Sequence, residues 1–395
     1  MAGRIVLFGA FDRHNLGDLL LPHVLARCLG DRPLRFAGLA ARDLRGVGGH
    51  RVEALAELAP GWQPEDRLLC VGGELLTCSA EQAAVMLQPP EGLQATLAWL
   101  ATQAHERRAW VRRVVGSASP APYAVVAPPL PRTARVCFHA VGGHDLARAP
   151  AALRRAVLAQ LARAQSLSVR DTATQQALRS AGLDAPLVPD AALLVAQCCA
   201  ADIRARAGAV PQGGIALQLS AEFGDDATLD AVAAALRRLM AHTGAPVHLF
   251  CAGLAPWHDD PQVLQRLAQR LPAGAARRVD TADVWALCAL IAGSALLIAS
   301  SLHARLVAMA CGRPRLNLVA PTVSRRPSKA EAVAGTWELP GLPVAVPASG
   351  LDDAARLALQ ADPARLAAHA QALAGQARAA LAALTARLHG PHRFP

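Results

Sequence analysis

An α/β fold, built as two doubly wound, Rossmann-like domains facing a cleft, is predicted by three features of the sequence. Short apolar runs of strand length alternate with alanine- and leucine-rich stretches of helical length. At 395 residues the chain exceeds one ordinary core and suits two domains. Hydrophobic residues make up 53% and charged residues 18%, the balance of a globular protein rather than a disordered one.

The strand candidates of the first half are RIVLFG, PLRFAG, RLLCVGG, ARVCFHAVGG, SLSVRD and APLVPDAA. Those of the second half are IALQLS, PVHLFCAG, ARRVD, ALLIASS and PRLNLVA. Between them, 151–165, 172–181, 229–242 and 261–271 have helical composition. The boundary falls in 200–214, where a polar, alanine-rich stretch ends in Pro-Gln-Gly-Gly before a new strand. The expected organisation is a first domain over 1–200, a second over 201–345 and a helical tail over 346–395. The uncharged stretch 284–300 is shorter than a membrane span of about 20 residues and is interrupted by Gly-Ser. It reads as a helix, a tight turn and a buried strand, so no integral membrane segment is expected.

The net charge is +10 and the pI near 9.9. The basic residues are scattered and almost all arginine; Lys329 is the only lysine. Aromatics amount to 4%, and no basic run interleaves with them, so nucleic acid is not an expected partner. Arginine's planar fork suits carboxylates and phosphates, which points to an anionic small molecule. The nine cysteines contain no CxxC and sit largely in apolar segments, as buried free thiols of a reducing compartment do. With a strand beginning almost at once and no cleavable signal, the expected location is cytoplasmic, with the inner face of the membrane as its periphery.

Open α/β sheets bind ligands at the carboxyl ends of their strands, so the polar residues there are the functional candidates. After the first strand, Asn15 and Asp18 flank Gly17 ahead of a helix, a place that favours an anion. VGGELL brings Gly72 and Gly73, and HAVGGHD brings Gly142, Gly143 and His144, each at a strand end. In SVRDTAT, Arg170 either aims at a carboxylate or phosphate or forms a salt bridge beside an N-cap at Asp171 or Thr172. Asp190 follows Pro189 after a further strand candidate and reads as another cap. APWHDDPQ offers Trp257 and His258 as a platform for a sugar or a base. In ALLIASSLHARLVAMACGRP, a buried strand ends at Ser300-Ser301, and Leu302, His303 and Arg305 open a helix. A histidine at such a junction is a candidate general acid or base, or else a core residue. No metal-ligand cluster is evident, so no metal is expected.

In order along the chain, these motifs resemble those of the polysaccharide pyruvyl transferase family. They are Asn-x-Gly-Asp, a Gly-Gly strand end, a later Val-Gly-Gly, Val-Arg-Asp, Pro-Asp, and a Ser-x-Leu-His helix start that ends in Gly-x-Pro. The resemblance spans roughly Phe8 to Lys329. It implies a GT-B-like, two-domain fold and transfer of pyruvate from phosphoenolpyruvate to sugar hydroxyls as a ketal, with release of phosphate. The partners it implies are phosphoenolpyruvate as donor substrate, no further cofactor, and a sugar, glycan or lipid-linked saccharide as acceptor, as in exopolysaccharide or cell-wall polymer synthesis. Carried over, the family's Val-Arg arginine falls on Arg170, its Leu-His histidine on His303, and its opening loop on Asn15, Gly17 and Asp18. Lys329 stands where many members have a lysine. The family's Arg-Leu-His is Ser301-Leu302-His303 here, which removes one anion clamp and leaves Arg305, Arg325 or Arg326 as substitutes. The expected roles are Arg170 on the donor's carboxylate or phosphate, His303 as acid and base, and Asp18 on the acceptor hydroxyl, with Trp257 and His258 on the sugar side. Two other readings stay open: a GT-B glycosyltransferase using a nucleotide-sugar, and a non-catalytic sugar- or anion-binding relative.

Overall fold

The computed structural model describes residues 3–30, 32–89, 91–127, 129–321 and 326–389. The chain divides into two compact units, one formed by Met1–Arg13, Asp18–Ala191 and Gly375–Pro395, the other by His14–Gly17 and Ala192–Ala374.

The first unit holds a sheet of β1 (Ile5–Phe8), β2 (Leu34–Gly38), β3 (Arg42–Asp43), β4 (Arg51–Ala54), β5 (Arg67–Cys70), β6 (Arg135–Val141) and β7 (Ser166–Val169). Their spatial order is β3-β4-β2-β1-β5-β6-β7, and every pairing is parallel except β3 with β4. A strand covered on both faces needs an unbroken apolar run, and all four residues of β1 are buried. Val6, Phe8, Leu68, Cys70, Val136 and Phe138 anchor its core. The run APLVPDAA forms no strand; Leu187 makes only an isolated bridge to Val169. Pro186 and Pro189 flank that bridge and lack the N–H a ladder needs.

The second unit holds β8 (Ile215–Gln218), β9 (Val247–Leu249), β10 (Ala276–Arg278), β11 (Leu296–Ala299), β12 (Arg315–Leu318) and β13 (Ala345–Val346). All are parallel, in the order β10-β9-β8-β11-β12-β13. The stretch 284–300 is a helix, Val284–Gly293, followed by buried β11, as its composition predicts. No helix among the described residues is long and apolar enough to cross a membrane.

The division of the chain differs from the sequence expectation in two places. The second unit begins at Ala192, not 201, because the short helix Val195–Cys198 contacts the helix Leu302–Ala310 and Ala200–Arg206 packs on Val284–Gly293. Pro-Gln-Gly-Gly is therefore internal to that unit, with the Gly213 amide bonded to the Gly293 carbonyl at 2.7 Å. The tail is not one body either. Leu351, Ala354, Ala355 and Ala358 of the helix Leu351–Leu359 complete the second core, whereas the helix Pro363–His389 is divided at Ala374/Gly375.

Candidate functional site

In the second unit the site grows from a buried amide. Gln218 ends the apolar strand β8 with 1% of its surface exposed, so its side chain must find partners inside. Its Oε1 accepts from the backbone amides of Ser300 (3.0 Å) and Ser301 (2.8 Å), fixing the exit of β11. Its Nε2 donates to Asp259 Oδ1 at 2.7 Å. Asp259 Oδ2 in turn accepts from the amides of Ala252 (2.6 Å) and Gly253 (3.3 Å), closing the loop after β9. Burial pushes the Asp259 carboxyl up to about 6, against the pull of those donors and of the Lys329 charge.

Ser301 caps the helix Leu302–Ala310, its Oγ accepting from the Ala304 amide at 3.3 Å. His303 lies in the first turn of that helix and is 7% exposed. The segment 14–17 lies against the same end of the unit. Asn15 forms an antiparallel bridge with Gly253, and the Leu16 amide donates to Ala252 O at 2.7 Å. His14 Nδ1 accepts from the Leu254 amide, so its Nε2 carries the proton and donates to Ala282 O at 2.8 Å. Burial lowers the His14 pKa, which agrees with that neutral tautomer. Asn15 Oδ1 accepts from the Gly17 amide at 3.1 Å. A Cβ on Gly17 would stand 1.9 Å from His303 Nδ1, so only glycine lets the imidazole lie against this backbone.

Trp257 is 53% exposed and holds φ +64°, a conformation a bulky residue adopts only when its surroundings impose it. The imposing contacts are those of its neighbours. The His258 carbonyl accepts from the Ala221 amide at 2.8 Å, and Asp259 is anchored as described. Lys329 begins the helix Lys329–Trp337, and its charge reaches Asp259.

The first unit carries a second polar cluster at the ends of β5, β6 and β7. Arg170 is fully buried, with Nη1 on Asp190 Oδ2 and Nη2 on Glu74 Oε2, both at 2.9 Å. Burial works against its charge, but Asp190 and Glu74 outweigh that cost and raise its pKa. Gly142 admits this pair, since a Cβ there would come within 2.5 Å of Glu74 Oε2 and 2.6 Å of Arg170 Nη2. The Gly143 amide donates to Thr174 Oγ1 at 2.8 Å, and Asp171 caps the helix Thr172–Arg179 through the Thr174 amide at 2.7 Å. Gly72 and Gly73, at φ +103° and +87°, turn the chain after β5. Asp18 lies beside Gly73, its Oδ1 3.4 Å from where a Cβ would stand there.

Three sequence expectations change. Arg170 is no open anion clamp: both terminal nitrogens serve buried carboxylates, and Asp190 is its partner rather than a cap. Arg305 is structural too; its guanidinium bonds Asn317 Oδ1 (2.8 Å), Val344 O (2.7 Å), Pro343 O (3.1 Å) and Glu338 Oε2 (2.6 Å). Arg305 therefore does not replace the arginine absent at Ser301, and Arg325 lies outside the described residues. The opening motif is also divided: Asn15 and Gly17 belong to the second unit, and Asp18 counts with the first. Glu74, Gln218 and Asp259 were not singled out from the sequence. The available signals were an acid directly after Gly-Gly and a polar residue ending an apolar strand.

The architecture is that of GT-B-like α/β proteins. The chain is similar to the UDP-GlcNAc 2-epimerase of Methanocaldococcus jannaschii (10% identity, 92% of this chain and 94% of that one, TM-score 0.56). It is likewise similar to the UDP-GlcNAc 2-epimerase of Neisseria meningitidis bound to UDP-GlcNAc (12%, 98% and 99%, 0.54). A putative UDP-N-acetylglucosamine 2-epimerase from Listeria monocytogenes is a third neighbour (12%, 100% and 100%, 0.53). At such identities the likeness concerns the fold. The sequence profile of the polysaccharide pyruvyl transferase family matches residues 147–319, which bears out the family resemblance over that segment. Arg170, Trp257, His258, Ser301, Leu302, His303 and Arg305 lie within it; Asn15, Gly17, Asp18, Gly72, Gly73, Gly142, Gly143 and Lys329 lie outside. No curated protein matches the chain.

Proposed function

We propose that the protein transfers pyruvate from phosphoenolpyruvate to hydroxyls of a sugar or glycan as a ketal, releasing phosphate. The observation that carries this reading is His303, held in the first turn after β11 against Gly17 and inside the segment that matches the family. Protonating the donor's methylene carbon makes its neighbour cation-like and open to a hydroxyl, and an imidazole is suited to give that proton. The cationic features around it are Lys329 and the positive end of the helix Leu302–Ala310, both suited to the donor's carboxylate and phosphate. Exposed Trp257 offers the face on which a sugar ring packs.

One observation favours a second reading. Arg170 and Arg305 are both committed to carboxylates and Ser301 replaces the family's arginine, so a less anionic donor such as a nucleotide-sugar competes. Phosphate release from phosphoenolpyruvate across a panel of hexosides, beside nucleotide release from UDP- and GDP-sugars, separates the two. Phosphate without nucleotide supports pyruvyl transfer, and the reverse assigns the second reading.

A further inference from the structure

The first unit contains a paired acid and histidine that the reading above does not use. Glu74 Oε1 accepts from His144 twice, at 3.1 Å from its backbone amide and 3.0 Å from Nδ1, and also from Thr77 Oγ1 at 3.1 Å. The other oxygen, Oε2, takes Arg170, whose second nitrogen holds Asp190. The histidine side chain is 20% exposed, and no hydrogen bond engages its Nε2. Its position is built, not incidental. The β6–β7 register shifts between Phe138 and Val141, Ala140 adopts φ +48°, and its amide is caught by Ser168 Oγ at 3.0 Å. That irregularity leads directly into Gly142, Gly143 and His144 at the carboxyl edge of the sheet.

We propose that His144, oriented through Nδ1 by Glu74, is the general base that takes the acceptor hydroxyl's proton on Nε2. A carboxylate on one ring nitrogen fixes the tautomer, leaves the other nitrogen basic and stabilises the imidazolium that forms. Arg170 and Asp190 hold Glu74 in turn, which makes Glu74 a positioning residue. This inference rests on the pyruvyl-transfer reading. As the hydroxyl oxygen bonds C2 of phosphoenolpyruvate, its proton passes to His144 and C3 takes a proton from His303. As the second hydroxyl closes the ketal, its proton returns to His303. The C2–O bond to phosphate breaks with the electron pair on phosphate, which leaves carrying the proton held by His144.

Burial disfavours the His144 imidazolium, but the Glu74 hydrogen bond and the charges of Glu74, Asp171 and Asp145 outweigh it and raise the pKa. Arg170 on Glu74 and Arg148 on Asp145 moderate that field. The test combines phosphate release, its pH profile and an NMR titration of the His144 ring in the full chain. His144→Ala should lower kcat about 10²–10⁴-fold with an unchanged thermal transition and remove the acidic limb of the kcat/KM profile. Glu74→Gln should shift that limb to lower pH, and wild-type His144 should titrate above an ordinary histidine. Wild-type phosphate release with His144→Ala within threefold of it overturns the base and leaves the transfer reading standing. A wild type that releases no phosphate with any acceptor overturns the transfer reading and this inference together. Titration of wild-type His144 at or below the ordinary value overturns the Glu74 pairing even if Glu74→Gln fails to fold.

Discussion

Gly17→Ala tests the contact on which the site depends. The new Cβ would stand 1.9 Å from Nδ1, 2.0 Å from Cγ and 2.4 Å from Cε1 of His303, so the ring or the 14–17 segment must move. Overpacking of this kind costs about 1–3 kcal/mol. Gly17 sits in the helix Leu16–Leu29 without a positive φ, so alanine there also gains up to about 1 kcal/mol of helix propensity. The single variant should therefore be neutral to about 2 kcal/mol less stable. In a His303→Ala background the obstacle is gone, and the same substitution should stabilise by about 0.5–1 kcal/mol. Urea unfolding of the four proteins in this cycle should give a coupling of about 1–3 kcal/mol between the two positions. A coupling near zero would refute the contact, and with it the placement of His303 against the opening segment.

Other predictions concern single groups. His303→Ala should lower turnover about 10²–10⁴-fold with the fold retained; an early thermal transition instead would make it a core residue. Arg170→Met should destabilise by about 3–5 kcal/mol, because it strands buried Asp190 beside Glu74; a variant as stable as wild type in urea would contradict the ion-pair account. Asp259 has a folded pKa near 6, above its unfolded value, so the folded state binds the extra proton between pH 4 and 6. Its contribution should be complete below pH 4 and lost as pH rises through about 6, with a slope of about 1.4 kcal/mol per pH unit. Unfolding measured across that range should show the slope in wild type and its loss in Asp259→Asn.

Much of the architecture was legible because buried parallel strands must be written as short apolar runs. IVLF, RLLC, IALQ and LLIA all became strands. The two-residue strands β3 and β13 carry no such signal, since edge pairs that short leave no pattern. His303 after a strand and the Gly-Gly turns were legible for the same topological reason. Charge pairing was not. SVRD shows an arginine and a neighbouring acid, but the partners are Asp190 and Glu74, 20 and 96 residues away. Nor does Asn-Leu-Gly-Asp reveal that its first residues bond the 252–255 loop. That contact comes from a backbone bridge, to which side-chain identity contributes little.

The most direct measurement is phosphate release from phosphoenolpyruvate with a hexoside panel, followed by mass analysis of the acceptor, for wild type and His303→Ala in parallel. The account predicts phosphate in step with an acceptor that has gained one pyruvyl ketal, and loss of both in the variant. Phosphate-free reactions, nucleotide release from a UDP- or GDP-sugar, or an equally active His303→Ala would contradict it.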